Sequence, residues 1–355
     1  NDATIASWRR GHSGADRHQN SDGGADPVTS VPVPNVTVWQ SAMVSSPIHD
    51  EEPDTSETTV RNLLHAECRQ WADRPIEYLH TSGTDNAMWR IRIERGPDLV
   101  ARLPRRPGAA AGVAQEVAVL ERIEGALGSS IQTPRVRHAG APHEFFPHDW
   151  SVLEWIDGVD CWSHREQLAG QSPAAALATD LGGAVTAIAA LTDVDVQPRT
   201  AGSRGGPLRP LLERLDEWLS DPHWAAVDLI DIAAVKRLAA AGLEVADEPS
   251  RLGFVHGDLI PGNLLIDGGR LSAVIDWGGA GWGDVAQDYA PAWAVLTADE
   301  RRAFRDVVGA DDAAWIRGRT FELEHAVGGV LYYVPRRHPL GDVMARTLDR
   351  LLTAE

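Results

Sequence analysis

The chain has 355 residues and a formal net charge of -18, and 43% of its residues are hydrophobic. That is length enough for two domains or one two-lobed domain with a large core, while the acidic balance argues against nucleic-acid binding and favours attraction of cationic small molecules. Cys68 and Cys161 are the only cysteines and exclude a disulfide framework or a zinc spacing; with no long apolar run and no leader-like N-terminus, the expectation is a cytoplasmic protein without a membrane partner.

Residues 1–55 are rich in Gly, Ser, Asp, Asn and Pro and lack periodicity, so a disordered tail is expected. From Ser56 the pattern changes. Val60, Leu63, Leu64, Cys68 and Trp71 recur at helical spacing and predict a helix over about 57–71. Strand-like runs follow at Ile76–His80, Ala87–Ile93 and Leu99–Leu103, separated by the polar turns Thr81–Asn86 and Glu94–Asp98. A helix is predicted over about 112–127 from Val113, Val117, Leu120 and Ile123, then strands at Pro134–His138 and Ser151–Ile156. His138, His143 and His148 stand five apart around Pro142 and Pro147, and read as an irregular loop rather than a metal site.

Beyond Gly158 the pattern is mostly helical, with helices expected over about 174–191, 208–219, 231–245, 285–297, 299–308, 311–332 and 339–353. Thr200–Pro207 is a Gly-rich loop, and Asp284 is placed to cap the helix that follows it. Pro291 implies a kink or a late start in that helix.

The chemistry concentrates between Phe254 and Ala286. His256-Gly257-Asp258 follows a short apolar run, and Asn263 comes five residues after Asp258. Two apolar segments, Leu264–Ile266 and Leu271–Ile275, flank Asp267-Gly268-Gly269-Arg270, a hairpin signal. Asp276 ends the second segment. One end of a hairpin thus carries two carboxylates and a carboxamide. Asn263 and Asp276 are oxygen donors suited to Mg2+, which takes one or two carboxylates plus substrate phosphates. Asp258 is then free to orient a hydroxyl nucleophile and accept its proton.

H-x-D-x-x-x-x-N followed by D-x-G resembles the catalytic core of protein-kinase-like phosphotransferases. The wording HGDLIPGNLL…VIDWGGAGWGD is similar to the aminoglycoside phosphotransferase family of small-molecule kinases, and the likeness spans roughly 60–350. It implies an α+β, two-lobed protein-kinase-like fold, with about five antiparallel strands plus a helix in the N-lobe and a mostly helical C-lobe. The expected organisation is a tail over 1–55, a nucleotide-binding lobe with hinge over 56–158, and a C-lobe with the catalytic loop and acceptor site over 159–355.

Roles follow from the resemblance. Ser82, Gly83 and Thr84 sit where kinases cover the phosphates. Arg102 takes the place of the phosphate-pairing lysine, Lys236 being the only lysine in the chain, and Glu116 is its expected partner. Arg90 and Arg92 are rivals placed on one strand face. The backbone near Glu154 and Ile156 is the expected hinge contact for a purine. Asp288 is expected to brace the catalytic loop, and Glu322, Glu324 and His325 to lie near the acceptor.

The implied reaction moves the γ-phosphoryl of ATP or GTP to a small-molecule hydroxyl, with Asp258 as base and Asn263 and Asp276 on Mg2+. The chain's acidity points to a cationic, aminoglycoside-like acceptor. Macrolides, hygromycin-like aminocyclitols and metabolic alcohols such as choline or homoserine stay open, as does a catalytically silent nucleotide-binding module. Gly257 stands where regulated protein kinases carry an arginine, and the segment before Asp284 is short, so constitutive activity is expected, from a monomer.

Overall fold

A computed structural model of the chain describes residues 52–80, 85–128, 131–162, 174–192, 196, 198–221 and 229–353. The expectation of a disordered tail therefore falls almost wholly outside the described residues, as do Ser82, Gly83 and Thr84. No described helix is long and apolar enough to cross a membrane.

The first helix, α1 (Glu57–Glu67), opens on Ser56, whose side chain accepts the Thr59 N–H at 3.4 Å. It ends earlier than its periodicity predicts: Cys68 leaves helical geometry, and residues 68–74 form successive turns that carry Trp71. Five strands follow, β1 (Ile76–Leu79), β2 (Asn86–Ile91), β3 (Leu99–Pro104), β4 (Val136–Gly140) and β5 (Trp150–Glu154), in the antiparallel order β1-β2-β3-β5-β4. Helix α2 (Pro107–Ile123) interrupts them. It starts five residues before its predicted start because Pro107, with its fixed φ and no N–H to satisfy, suits a first helical turn.

Strand β3 is buried throughout, and its period of two assigns each residue a face. Leu99, Ala101 and Leu103 enter a core shared with Val60, Leu63 and Leu64 of α1. Val100 faces the other way, into a core with Val119, Leu120 and Ile123 of α2 that continues into the helical lobe. Arg102 shares the face of Val100, which is how a guanidinium comes to lie beneath α2. Arg90 and Arg92 are structural instead: both bind Asp98, at 2.8 and 2.9 Å, and Arg90 lies over the Trp155 ring at 4.5 Å.

After a two-residue strand, β6 (Val159–Asp160), the C-lobe adds helices α3 (Ala174–Ala189), α4 (Leu208–Ser220) and α5 (Ile232–Glu244). Strand β7 (Leu252–Val255) leads into the catalytic segment. The expected hairpin is β8 (Leu264–Asp267) and β9 (Arg270–Val274), joined at Gly268 and Gly269, both with positive φ (54° and 78°), a turn that only residues tolerant of left-handed backbone make cheaply. Strand β10 (Gly281–Asp284) pairs with β7, so the residues after Asp276 return beside those before Asp258.

The single helix expected over 285–297 is instead a 3-10 turn, Val285–Tyr289, capped by Asp284, followed by the one-turn α6 (Pro291–Ala294). Pro291 has no N–H to continue the first ladder. Helices α7 (Ala298–Val308), α8 (Asp312–Tyr333) and α9 (Leu340–Thr353) close the lobe.

Candidate active site

The catalytic loop is fastened from behind. Asp288, buried in the 3-10 turn, accepts the backbone N–H groups of His256 and Gly257 at 2.6 and 2.8 Å. Burial raises its pKa, and nearby His256 and these donors work against that rise. His256 is fully buried and ties the two halves of the site: its Nδ1 accepts the Asp258 N–H at 3.2 Å, which leaves Nε2 to donate to Ile275 O at 3.1 Å. Burial also pushes its pKa down, in keeping with a neutral ring of that single tautomer. The ring meets Trp277 edge-on at 4.5 Å. Trp277, in the place of the usual Phe of D-F-G, is fully buried and donates to Val274 O at 3.0 Å.

Asn263 donates through Nδ2 to the Asp258 carbonyl at 2.9 Å and to the Asp258 carboxylate at 3.1 Å. Its amide is thereby oriented, with the side-chain oxygen turned away from Asp258. Ile275 donates to the Asn263 carbonyl at 3.0 Å, which draws the start of the hairpin against its end. Asp276 takes a left-handed backbone, φ 66°, rare for a residue with a Cβ. One of its oxygens accepts from Arg102 at 2.7 Å.

Arg102 and Glu116 are both buried and joined by a short hydrogen bond. Glu116 also accepts the Trp277 N–H at 3.1 Å. Burial alone opposes a charge on Arg102, yet Glu116 and Asp276 hold the guanidinium charged well above its ordinary range. Burial raises the Glu116 pKa, with Arg102 opposing. Losing one partner would strand the other charge, which costs about 3–5 kcal/mol in such pairs.

Two further arginines complete the site, and both come from the loop at 198–206. Arg199 donates to Gly279 O, and its guanidinium occupies the space a side chain at Gly257 would need. Gly257 has φ 82°. A Cβ at Gly281 or Gly283 would also come within 2.7 Å of the Arg199 side chain. Arg199 thus lies over three glycines, linking the catalytic loop to the segment after Asp276. Burial lowers its pKa, while Asp288 and Asp258 favour its charge. Arg204 brings Nη1 to 3.4 Å from Asp258 Oδ1. Nothing local marks either residue; they sit in a Gly-rich loop more than fifty positions from the groups they touch.

These groups open on a cleft cavity of about 960 Å³ lined by Arg102, Glu116, Asp258 and Asp276. Asp85 and Asn86, flanking the expected phosphate loop, also line it. Glu324 and His325 reach it from α8; Glu322 does not and is buried behind them. Neither Glu154 nor Ile156 lines it. The backbone N–H groups of Glu154 and Trp155 are used on the Arg135 and Asp98 carbonyls, both at 2.8 Å.

His138 and His143 hold no metal position. Each places Nε2 2.7 Å from one oxygen of Glu67, which ties α1 to β4 and its following turn. Among the described residues no group of His, Cys, Asp and Glu is arranged to hold a metal by itself.

A five-stranded antiparallel lobe and a helical lobe, with H-x-D-x-x-x-x-N and D-x-G meeting at the cleft, define a phosphotransferase of the protein-kinase-like class. The chain belongs to the phosphotransferase enzyme family that includes the aminoglycoside phosphotransferases, matching it over residues 79–322. It shares this fold with the GDP complex of aminoglycoside 2'-phosphotransferase-IIIa (TM-score 0.63, 17% identity, 83% of this chain and 97% of that one). Similar too are macrolide 2'-phosphotransferase MphH from Brachybacterium faecium (TM-score 0.55, 20% identity, 81% and 98%) and a thermostable APH(4)-Ia in ternary complex with AMP-PNP and hygromycin B (TM-score 0.56, 18% identity, 83% and 98%). No curated protein matches the sequence.

Proposed function

We propose that this protein transfers the γ-phosphoryl group of ATP or GTP to a hydroxyl of a small molecule, with Mg2+ as cofactor. The observation that carries the reading is the meeting of Asp258, Asp276 and the Arg102–Glu116 pair at one cleft, with Asn263, buried and outside the cavity's lining, bonded to Asp258. Its volume of about 960 Å³ is at the upper end of ligand pockets, ~300–1,000 Å³. That leaves room for a nucleotide and an acceptor together.

The donor set fits Mg2+. The Asn263 side-chain oxygen is left over once its nitrogen binds Asp258, and Asp276 has a second oxygen with no hydrogen-bond partner among the described residues. Both are hard oxygens, and few protein ligands are expected where phosphates supply the rest. Asp276 and Asn263 would hold the ion, which when bound neutralises charge on the phosphates. Arg102, kept charged and fixed by Glu116, adds positive charge from the N-lobe. Ser82, Gly83 and Thr84 are assigned to the phosphates, and the backbone at Ile156 to the base, the Glu154 N–H being spent on the Arg135 carbonyl. Asp258 orients the acceptor hydroxyl and takes its proton as the O–P bond forms and the bond to the leaving diphosphate breaks. Both acids and the amide are intact, which argues against a silent nucleotide-binding module. Cys68 and Cys161 are both buried, in keeping with a reducing, cytoplasmic setting.

Antibiotics are named as bound ligands or substrates for the similar structures, and an antibiotic acceptor is the simplest version of the proposal. Asp258→Ala tests the chemistry. General-base assistance is worth roughly 10²- to 10⁴-fold. The variant should bind Mg2+ and AMP-PNP as the wild type does, and lose turnover by that factor. Wild-type turnover in the variant removes the assignment.

A further inference from the structure

The acceptor side of the cleft does not carry the charge of the whole chain. Apart from Asp276, assigned above to the metal, the helical lobe brings Arg199, Arg204, Arg214 and Arg336 to the cavity against Asp258 and Glu324. Glu324 is partly spent: it is buried, and one of its oxygens receives both Nε and Nη2 of Arg214, at 3.0 and 2.5 Å. Glu322 lies beneath the surface, and burial raises its pKa to about 8, so at neutral pH it is mostly uncharged. Beside it His325, which does line the cavity, is held neutral, its pKa lowered to about 4. Among the described residues Asp258 and the second oxygen of Glu324 are thus the carboxylate oxygens left on this side; the mechanism already uses Asp258, and Arg214 offsets the charge of Glu324.

The cations differ. Arg199 is committed to Gly279 and Arg214 to Glu324 and Gly202. Arg204 makes one long bond, 3.4 Å, to Asp258, and its other donors have no acceptor among the described residues. Arg336 has no carboxylate partner among the described residues. Exposed at the cavity's rim, its guanidinium lies over the Tyr332 ring at 3.8 Å and donates one N–H to Tyr332 O at 2.8 Å. That contact holds the guanidinium in place, and its remaining donors have no acceptor among the described residues. A guanidinium fork presented this way matches a carboxylate or phosphate. A polycationic acceptor would put ammonium groups against two open arginines, a like-charge contact that disfavours it.

We propose that the acceptor is a hydroxyl compound bearing a carboxylate or phosphate group, held by Arg336 and Arg204 beside Asp258, and not a polycation. This rests on the kinase reading above and deepens it, setting aside a polycationic antibiotic as the acceptor.

The test uses the full chain with Mg2+ and AMP-PNP and three probes of one scaffold: glucuronate, glucose and glucosamine, with kanamycin as the polycation and glucose 6-phosphate as the phosphate form. Affinities are read by calorimetry at fixed ionic strength. The expected result is that glucuronate or glucose 6-phosphate binds at least tenfold more tightly than glucose, and that glucosamine and kanamycin bind least. Which of the two anions wins tells carboxylate from phosphate. Arg336→Ala should abolish the preference while its affinity for glucose, the uncharged probe, shows the pocket intact. Arg302→Ala, on an exposed face and paired with Asp299, serves as a charge control and should change nothing. Preference for glucosamine or kanamycin, indifference among the probes, or a preference unmoved in Arg336→Ala would each overturn the proposal. Failure of the wild type to bind AMP-PNP at all would instead sink the kinase reading beneath it.

Discussion

Replacing Glu322 by glutamine should remove a pH dependence that the wild-type protein carries. Glu322 is fully buried, with its second oxygen lacking a hydrogen-bond partner among the described residues and His325 Nδ1 3.5 Å away. Burial, reinforced by Asp258 and opposed by Arg204, raises its pKa from 4.5 to about 8. Burial lowers His325 from 6.5 to about 4. An acid whose pKa is raised on folding stabilises most below its unfolded pKa and loses that contribution as pH rises to the folded value. A base whose pKa is lowered does the reverse as pH falls. Between pH 4.5 and 6.5 the two effects cancel, because folded and unfolded chains each hold one proton on the pair, on Glu322 when folded and on His325 when unfolded. Above 6.5 the unfolded chain loses that proton and the folded chain keeps it until about pH 8. One proton over that window, at about 1.4 kcal/mol per pH unit, is about 2 kcal/mol of stability lost. The carboxamide of a Glu322→Gln variant carries no charge at any pH, so the variant should not share this loss. Urea unfolding of both proteins at pH 6.5 and 8.5 measures it: the stability difference should shift by about 2 kcal/mol in the variant's favour. A difference that stays constant across that interval would refute the assignment of a protonated Glu322.

Asp276→Ala should abolish turnover and the Mg2+ dependence of nucleotide affinity together, read by calorimetry with and without the ion; loss of turnover alone would take the metal role from it. Arg199→Ala removes the clamp across Gly257, Gly281 and Gly283 and should lower kcat while KM for nucleotide stays nearly fixed, with Arg199→Lys restoring only part; a KM effect alone would make Arg199 a binding group. Because Arg199 fills that place permanently, phosphatase treatment should leave the rate unchanged. Glu67→Ala should lower stability by about 1–3 kcal/mol, since charged hydrogen bonds to His138 and His143 are lost. Those same bonds offset its burial and hold the Glu67 pKa below its usual value, so the contribution should fade in wild-type protein as pH drops below 4.5.

What the sequence discloses about the site follows the distance over which its residues cooperate. Asp258, Asn263 and Asp276 lie within one hairpin, and a local spacing is enough to bring them together. Arg102 and Glu116 were legible through the resemblance alone, and the structure supplies the physical reason: alternation along β3 puts Arg102 on the face that α2 covers, and Glu116 falls on the buried side of that helix. Arg199 and Arg204 obey neither rule. Their loop has no periodicity, and their contacts, Gly279 and Asp258, are set by how β10 draws beside residues 198–205. The tie from His138 and His143 to α1 was hidden for the same reason, since Glu67 lies on a helix about seventy residues away.

Net charge misleads in a related way. The chain's acids are spread over its solvent faces, where they interact through high dielectric and pair loosely: Glu94, Asp247 and Asp299 have side chains 79%, 75% and 86% exposed. Such charges set a far field that draws cations toward the molecule, but salt screens it within about a Debye length, ~8–10 Å. Inside the cleft the field is set by the few groups that line it, and these are chosen by contacts, not by composition. Each acid that the fold brings near the acceptor is given a specific fate. Glu324 is neutralised by Arg214, Glu322 by protonation, and Asp258 faces Arg204. A chain of charge -18 can therefore present guanidinium groups to its acceptor. The sign that matters for recognition is the one left after these pairings are made, which only the folded arrangement decides.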